Sequence, residues 1–175
     1  MDYHYSTNGS ETELRRIIRE FQAPLTRFVH FLVKNTDDID DIVHGTFVKL
    51  WKETAVKKKN IDNIKAFLYR VARNHAIDVL RKDRVRKIFS SQESSATNSY
   101  TPLDALYSSE TESTLANAMN QLSYKEREIL ALIYVENMKM HEAAKVLNIG
   151  EEAVSSRLRR ARTSLKSKLP ESFQM

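Results

Sequence analysis

Two stretches of the chain concentrate lysine and arginine, the side chains that neutralise phosphates. Residues 54–87 contain 11 basic and 3 acidic residues, and residues 151–175 contain 6 basic and 3 acidic residues. Between them, residues 88–114 contain 4 acidic residues and no basic one. Two separate cationic surfaces indicate a polyanion that is contacted at two places, and nucleic acid is the polyanion that such clusters most often bind. Charge alone leaves open the alternative that both stretches are solvated helix faces.

Residues suited to catalysis or cofactor binding are scarce. The chain has no cysteine, which excludes disulfides, thiolate zinc sites and cysteine nucleophiles. Aspartates at positions 37, 38, 40 and 41 could suggest a magnesium-dependent nuclease, but adjacent aspartates on a helix cannot all face one metal, and no second carboxylate cluster accompanies them. We therefore expect a protein that is not an enzyme and that holds no metal and no cofactor.

The composition predicts an all-α fold of two small helical domains joined by a flexible linker. Hydrophobic residues make up 41% of the chain, and only three glycines and three prolines punctuate it. The stretch 88–112 is rich in Ser and Thr and is predicted to be the linker, with domains at residues 1–87 and 113–175. Because no leader-like start and no apolar run of membrane-spanning length occurs, we expect a cytoplasmic protein with no direct membrane insertion.

In the first domain, hydrophobic periodicity predicts three helices. The first covers residues 14–32, with a kink or break expected at Pro24, and the second follows the aspartates and runs to Trp51. The third begins with Asp62 or Asn63 as its cap. One of its faces is apolar, and the opposite face carries cations together with Asn74 and Asp78.

In the second domain, the order of the elements is typical of a helix-turn-helix. Ser123 and Glu126 have the spacing of a capping box that starts a helix. A short helix over residues 141–147, a break at residues 148–150 and a long basic helix over 151 to about 169 follow. Periodicity alone does not separate this arrangement from a plain helical bundle.

Motifs in both domains resemble one protein family, the extracytoplasmic function (ECF) sigma factors. DIDDIVHGTFVKLW at residues 38–51 and AFLYRVARNHAIDVLR at residues 66–81 resemble the region 2 signature of that family. Residues 122–165, with EAA at 142–144, VSSRL at 154–158 and RAR at 160–162, look like its region 4. The resemblance implies an RNA polymerase sigma factor with regions 2 and 4 only, which binds core RNA polymerase, recognises the minus 10 and minus 35 elements of promoter DNA and directs initiation. It also implies an anti-sigma factor as a partner, either membrane-anchored or free.

The resemblance assigns a contact surface for polymerase on the second helix. The exposed candidates there are Asp38, Asp41, His44, Gly45 and Lys49. The family usually has Gln and then an acidic residue where this chain has His44 and Gly45.

The third helix and the loop before it are implied to bind the minus 10 element. Asn74 and Asp78 are the candidates for base edges, and Phe67 and Tyr69 could stack on an unpaired base. The complete set of minus 10 candidates is Lys65, Arg70, Arg73, Asn74, Asp78, Arg81 and Lys82.

The long basic helix is implied to lie in the major groove at the minus 35 element. Ser155, Ser156 and Arg159 are expected at base edges, whereas Arg157 and Arg160 are expected to hold phosphates or structural ion pairs. A duplex-binding regulator that uses the first domain as a sensor is the main alternative. It would explain the second domain but neither of the two motifs in the first.

Overall fold

The computed structural model describes residues 11–33, 36–89 and 110–171. Most of the predicted linker and the first ten residues of the predicted N-terminal domain lie outside the described residues. The chain divides into two compact units between residues 95 and 96. The described residues contain α-helices and two short π-helices and no β-strand, so the all-α prediction is confirmed.

The first unit is a bundle of three α-helices that all contact one another. A short π-helix follows the second α-helix and leads into a loop. The elements are α1 (Glu11–Leu32), α2 (Thr36–Trp51), π1 (Lys52–Val56) and α3 (Ile64–Phe89). Apolar side chains from the three α-helices fill the core, and the rings of Phe28 on α1 and Tyr69 on α3 meet with centroids 5.1 Å apart.

Of the kink or break expected at Pro24, the break does not occur, because α1 continues through Pro24. Proline removes one backbone donor and does not by itself end a helix whose apolar stripe continues on both sides. Here Phe21 and Leu25 are buried next to Pro24, and Phe28 extends the same stripe one turn further. Burial of this stripe outweighs the lost hydrogen bond.

Helix α3 begins as the sequence predicts, with Asn63 rather than Asp62 as its cap. The Asn63 side-chain oxygen accepts a hydrogen bond from the Ala66 amide at 2.7 Å. This bond satisfies one of the amides that the first turn of a helix leaves without a partner.

The second unit contains the predicted helix-turn-helix. Its elements are α4 (Glu110–Asn120), α5 (Tyr124–Leu130), π2 (Ala131–Val135), α6 (Met140–Leu147) and α7 (Glu151–Lys168). The predicted capping box opens α5, since the Ser123 amide and hydroxyl donate to the Glu126 carboxylate at 2.9 and 2.7 Å. Asn148 closes α6 in the left-handed conformation, with φ of 54°, and α7 starts three residues later.

Among the residues that the structure describes, no helix has the length and hydrophobicity needed to cross a membrane.

Candidate nucleic-acid and polymerase interfaces

Helix α2 presents most of the predicted polymerase candidates on its outer surface. Asp41, His44 and Lys49 are exposed and Asp38 is half-buried. Lys49 is also 3.4 Å from the carboxylate of Glu53, so it takes part in an ion pair as well as facing solvent. These four side chains form a mixed-charge surface on the side of α2 that does not pack in the core.

Gly45 lies one turn from both Asp41 and Lys49 on α2 but is not exposed, which corrects the expectation from the sequence. Gly45 is half-buried, and a Cβ atom at this position would lie 3.3 Å from two ring atoms of His75 on α3. The absence of a side chain therefore leaves room for the imidazole between α2 and α3. His75 is half-buried there, which is consistent with a packing role.

Helix α3 carries a strip of exposed polar side chains along one face. Arg70, Asn74, Asp78 and Arg81 are all exposed and recur at intervals of four, four and three residues. Arg73, half-buried beside the strip, donates to the Asn74 side-chain oxygen at 3.3 Å, and the Arg81 guanidinium is 3.7 Å from Asp78. Each of the two candidate base-reading groups is therefore held next to a cation that can contact a phosphate.

Lys82 and Lys65, two further minus 10 candidates, lie at different positions relative to the strip. Lys82 is exposed on α3, at the edge of the strip. Lys65 lies in the first turn, nine residues before Asn74, and nine residues correspond to half a rotation of an α-helix. The structure therefore does not bring Lys65 together with the strip.

The expectation that Tyr69 could stack on a base is wrong. Its side chain is 1% exposed and packs against Phe28 in the core. Phe67 is only half-buried, so it keeps an aromatic surface that solvent can reach. On a helical wheel, Tyr69 lies at the border of the apolar stripe. Its polar hydroxyl then favoured the prediction that the side chain is exposed.

A buried carboxylate that the sequence reading missed organises the basic loop before α3. Glu53 on π1 forms ion pairs with Lys57 at 2.8 Å and with Lys59 at 3.0 Å, and its side chain is 9% exposed. Hydrogen bonds from Lys57 and Lys59 lower the pKa of Glu53 to about 2. Glu53 is the one acidic residue between Asp41 and Asp62, and lysines lie four residues on either side of it. Opposite charges four residues apart on a helix predict ion pairs, so the sequence already contained this signal.

Helix α7 exposes most of the predicted minus 35 residues. Ser155, Ser156, Arg159 and Arg160 are exposed, whereas Val154, Leu158 and Ala161 are buried against the rest of the unit. The exposed residues lie near the first half of the helix, which is the part that enters the major groove in helix-turn-helix proteins. Two hydroxyls and two guanidinium groups are thus available together on one surface.

Arg157 faces α5, away from that exposed surface. Its guanidinium is 3.5 Å from Oε2 of Glu128, whose side chain is fully buried, and only 24% of the Arg157 side chain is exposed. Of the two roles expected for Arg157, the structure shows the structural ion pair, and the phosphate contact stays a prediction.

Two further polar contacts between helices were missed. The Arg162 guanidinium donates to the Tyr134 hydroxyl and lies over its ring, 5.4 Å from the centroid. The Ser164 hydroxyl donates to Glu126 at 2.5 Å, and the hydrogen bonds from Ser164 and Ser123 lower the pKa of Glu126. Partners 28 and 38 residues apart leave no local spacing pattern that could have revealed them.

The described residues include no group of three His, Asp or Glu side chains that could hold a metal ion. The geometry instead shows a cationic polar strip on α3 in one unit and a helix-turn-helix in the other, features that are typical of DNA-binding proteins.

Comparison with known proteins assigns the family of both units. Residues 17–86 match Sigma-70 region 2, and residues 118–167 match Sigma-70, region 4. The ECF RNA polymerase sigma factor SigL of Mycobacterium tuberculosis is 28% identical over 158 residues, covering 90% of this chain and 89% of that protein. The chain belongs to the sigma-70 family and is an RNA polymerase sigma factor of the ECF type, a transcription initiation factor.

Two solved structures share the fold. The first is the sigma factor RpoE in complex with the anti-sigma factor NepR from Bartonella quintana, with a TM-score of 0.68, 23% identity and coverage of 90% of this chain and 96% of that one. The second is CnrH in complex with the cytosolic domain of CnrY, with a TM-score of 0.63, 22% identity and coverage of 92% and 90%.

Proposed function

We propose that the two units divide promoter recognition between them. Residues 1–87 act as region 2, which binds core polymerase and recognises and opens the minus 10 element. Residues 113–175 act as region 4, which reads the minus 35 element, and residues 88–112 link the two. The observation that carries the proposal is the pairing on α3, where Asn74 and Asp78 each lie beside an arginine.

The α3 strip contains two kinds of side chain, which suit two different tasks in DNA recognition. Hydrogen bonds to base edges distinguish sequences, whereas cations beside them fix the position of the strand by contacting phosphates of any sequence. Asn74 and Asp78 can do the first. Arg73 and Arg81 beside them, together with the exposed Arg70, can do the second. The exposed surface of Phe67 is the aromatic candidate for an unstacked base.

On α7, Ser155, Ser156 and Arg159 reach base edges and Arg160 holds a phosphate in the proposed complex. Gly150 and Ala153 stand where the family often has hydroxyl side chains, so the start of α7 lacks a capping hydroxyl and a candidate phosphate contact. Low affinity of the isolated protein for duplex DNA follows, and polymerase must hold both units in place on one promoter.

Run-off transcription with core polymerase tests the assignment on α3. Asn74→Ala should change the ranking of minus 10 variants by about 1–3 kcal/mol per base contact, which is about tenfold for each 1.4 kcal/mol. The matched control, Arg70→Ala, should weaken all promoters alike and reduce the salt dependence. An unchanged ranking with Asn74→Ala would refute the base contact.

Footprinting of the protein without polymerase separates this function from a duplex-binding regulator. We expect no specific protection at physiological salt until core polymerase is added. Tight and specific protection by the protein alone would favour the regulator.

The polymerase surface comprises Asp38, Asp41, His44 and Lys49 in this proposal. Reversing the charge of Asp41, with Asp41→Lys, should weaken binding to core polymerase and leave the fold intact because the residue is exposed. Asp62→Lys, also exposed but outside α2, is the control.

We further propose that an anti-sigma factor, anchored in a membrane or not, binds this chain in the cytoplasm. The support is that the two structural relatives were solved with protein partners, one of them named as an anti-sigma factor. The test is inhibition of run-off transcription by a purified candidate, with relief when the candidate is removed.

A further inference from the structure

The loop over residues 57–63 joins π1 to α3 and begins with three consecutive lysines. A loop of this charge next to a DNA-binding helix would be expected to use all three as phosphate contacts. The structure instead places them in unequal environments.

Glu53 holds two of the three lysines. Its Oε1 atom is 2.8 Å from the Lys57 ammonium, and its Oε2 atom is 3.0 Å from the Lys59 ammonium. The main chain adds a further constraint, since the Lys59 amide donates to the Glu53 carbonyl at 2.9 Å. One nearly buried residue therefore fixes both the side chain and the backbone of this part of the loop.

Lys58, between them, is different. Its φ is 51°, in the left-handed region that residues with a side chain seldom adopt. It is exposed, and it has no ion pair with any residue that the structure describes. All three lysines are exposed, with 54% of the Lys57 side chain and 63% of the Lys59 side chain accessible. They differ in pairing, because the turn in the chain directs the flanking lysines to Glu53 and the middle one away from it.

The backbone before the loop is also constrained. The buried Thr54 donates its hydroxyl hydrogen bond to the Leu50 carbonyl at 2.8 Å, and the Lys57 amide donates to the Lys52 carbonyl at 3.0 Å. The π-helix that results is a rare element and often lies at functional positions. Glu53 therefore acts from a rigid support.

We propose that Glu53 is a positioning residue that withdraws Lys57 and Lys59 from nucleic acid and leaves Lys58 as the phosphate contact of this loop. The inference rests on the proposed function of the first unit, namely contact with single-stranded minus 10 DNA. The consequence is a lower affinity for strands of any sequence, because each phosphate contact adds affinity whatever the bases are.

The salt dependence of binding measures how many phosphates the loop engages. For single strands, each phosphate contact contributes about 0.7 to the slope of log affinity against log salt. Glu53→Gln keeps the size of the side chain and removes its charge, which releases the two lysines of the loop; Lys49, the third lysine paired with Glu53, lies on α2 outside the loop. The slope should therefore steepen by about 1.4, which corresponds to an added loss of about sevenfold in affinity between about 50 and 200 mM salt.

The assay uses the full chain and a fluorescently labelled oligothymidylate, which offers phosphates without a promoter sequence. Lys58→Ala should flatten the slope by about 0.7, whereas Lys57→Ala and Lys59→Ala should leave it unchanged in the native background. In the Glu53→Gln background, all three substitutions should flatten it. A merely structural role for Glu53 would change stability but would not produce this pattern.

The alanine variants in the native background keep the test decisive even if Glu53→Gln fails to fold. Equal flattening by Lys57→Ala and Lys58→Ala would overturn the inference, as would an unchanged slope in folded Glu53→Gln. If the unsubstituted chain does not bind the oligothymidylate, the proposed contact of the first unit with single-stranded DNA fails, and the inference falls with it. Binding that Arg70→Ala weakens but no loop substitution alters would refute the inference alone.

Discussion

Replacing Arg157 tests whether an arginine on the recognition helix serves the fold or the DNA. Arg157→Ala removes the guanidinium that lies 3.5 Å from the fully buried Glu128. Oε2 of Glu128 accepts no hydrogen bond from the described residues, so the guanidinium offsets the burial of this atom by electrostatic attraction. Without it, the carboxylate would keep the cost of leaving water and lose the compensation.

Breaking a buried ion pair by removal of one partner costs about 3–5 kcal/mol. The lower end applies here, because Glu128 has another polar interaction and Arg157 is partly exposed. A loss of about 3 kcal/mol in a domain of this size lowers Tm by about 12 °C or more. A core this small supplies about 3–5 kcal/mol in total, so the second unit would be close to unfolding.

The position of the tryptophan allows the loss of stability to be assigned to one of the two units. Trp51 is its single tryptophan and lies in the first unit, whereas circular dichroism at the helix band reports both units. In thermal unfolding of the full chain, Arg157→Ala should move part of the dichroism transition and leave the Trp51 fluorescence transition in place. Arg160→Ala removes the same charge from an exposed position on the same helix and should change stability by less than about 0.5 kcal/mol.

A double variant separates the ion pair from the size of the side chain. Replacing both partners, with Glu128→Leu and Arg157→Met, removes the unpaired charge and should restore most of the lost stability. An Arg157→Ala protein with native stability and a reduced salt slope for promoter duplex would refute the reasoning, because it would show that this arginine serves DNA.

Three further predictions concern other positions. Gly150→Ser should raise the stability of the second unit by a few tenths of a kcal/mol, measured by urea unfolding, because Gly150 is the N-cap of α7 and a Cβ atom there meets nothing within 4 Å. Glu53 has a folded pKa of about 2, below its ordinary value of 4.5, so its contribution to stability is present above pH 4.5 and is lost as the pH falls towards 2. Glu53→Gln should flatten the stability of the first unit across that window when Trp51 fluorescence is followed in acid titrations. Tyr69→Ala should cost about 3–5 kcal/mol in unfolding experiments, whereas Phe67→Ala should cost less and should instead reduce promoter opening in permanganate footprints.

Local patterns predicted the helices and their faces well. Capping at Asn63 and Ser123 and the left-handed Asn148 depend on neighbours within a few residues, which a sequence displays directly. The sequence left a kink or a break at Pro24 open, because the outcome there depends on how much apolar surface α1 buries against α2 and α3.

The candidate sites were predicted less completely, since a helical wheel gives the direction of a side chain but not its partner. It placed Asn74 and Asp78 correctly on an exposed face. It could not show that the carboxylate facing Arg157 comes from a helix 29 residues earlier in the chain. Gly45 was misplaced for a related reason, because its environment is set by His75 on another helix.

The same physical cause explains why the two basic stretches overstate the charge available to DNA. A carboxylate that is buried must stay paired with a cation, so each one removes arginines or lysines from the binding surface. Glu53 pairs with lysines of the loop and Glu128 pairs with Arg157, while Tyr134 engages Arg162. In the proposed function, buried acids therefore reduce the number of cations that are free to contact phosphates, whereas Arg159 and Arg160 stay exposed beside Ser155 and Ser156.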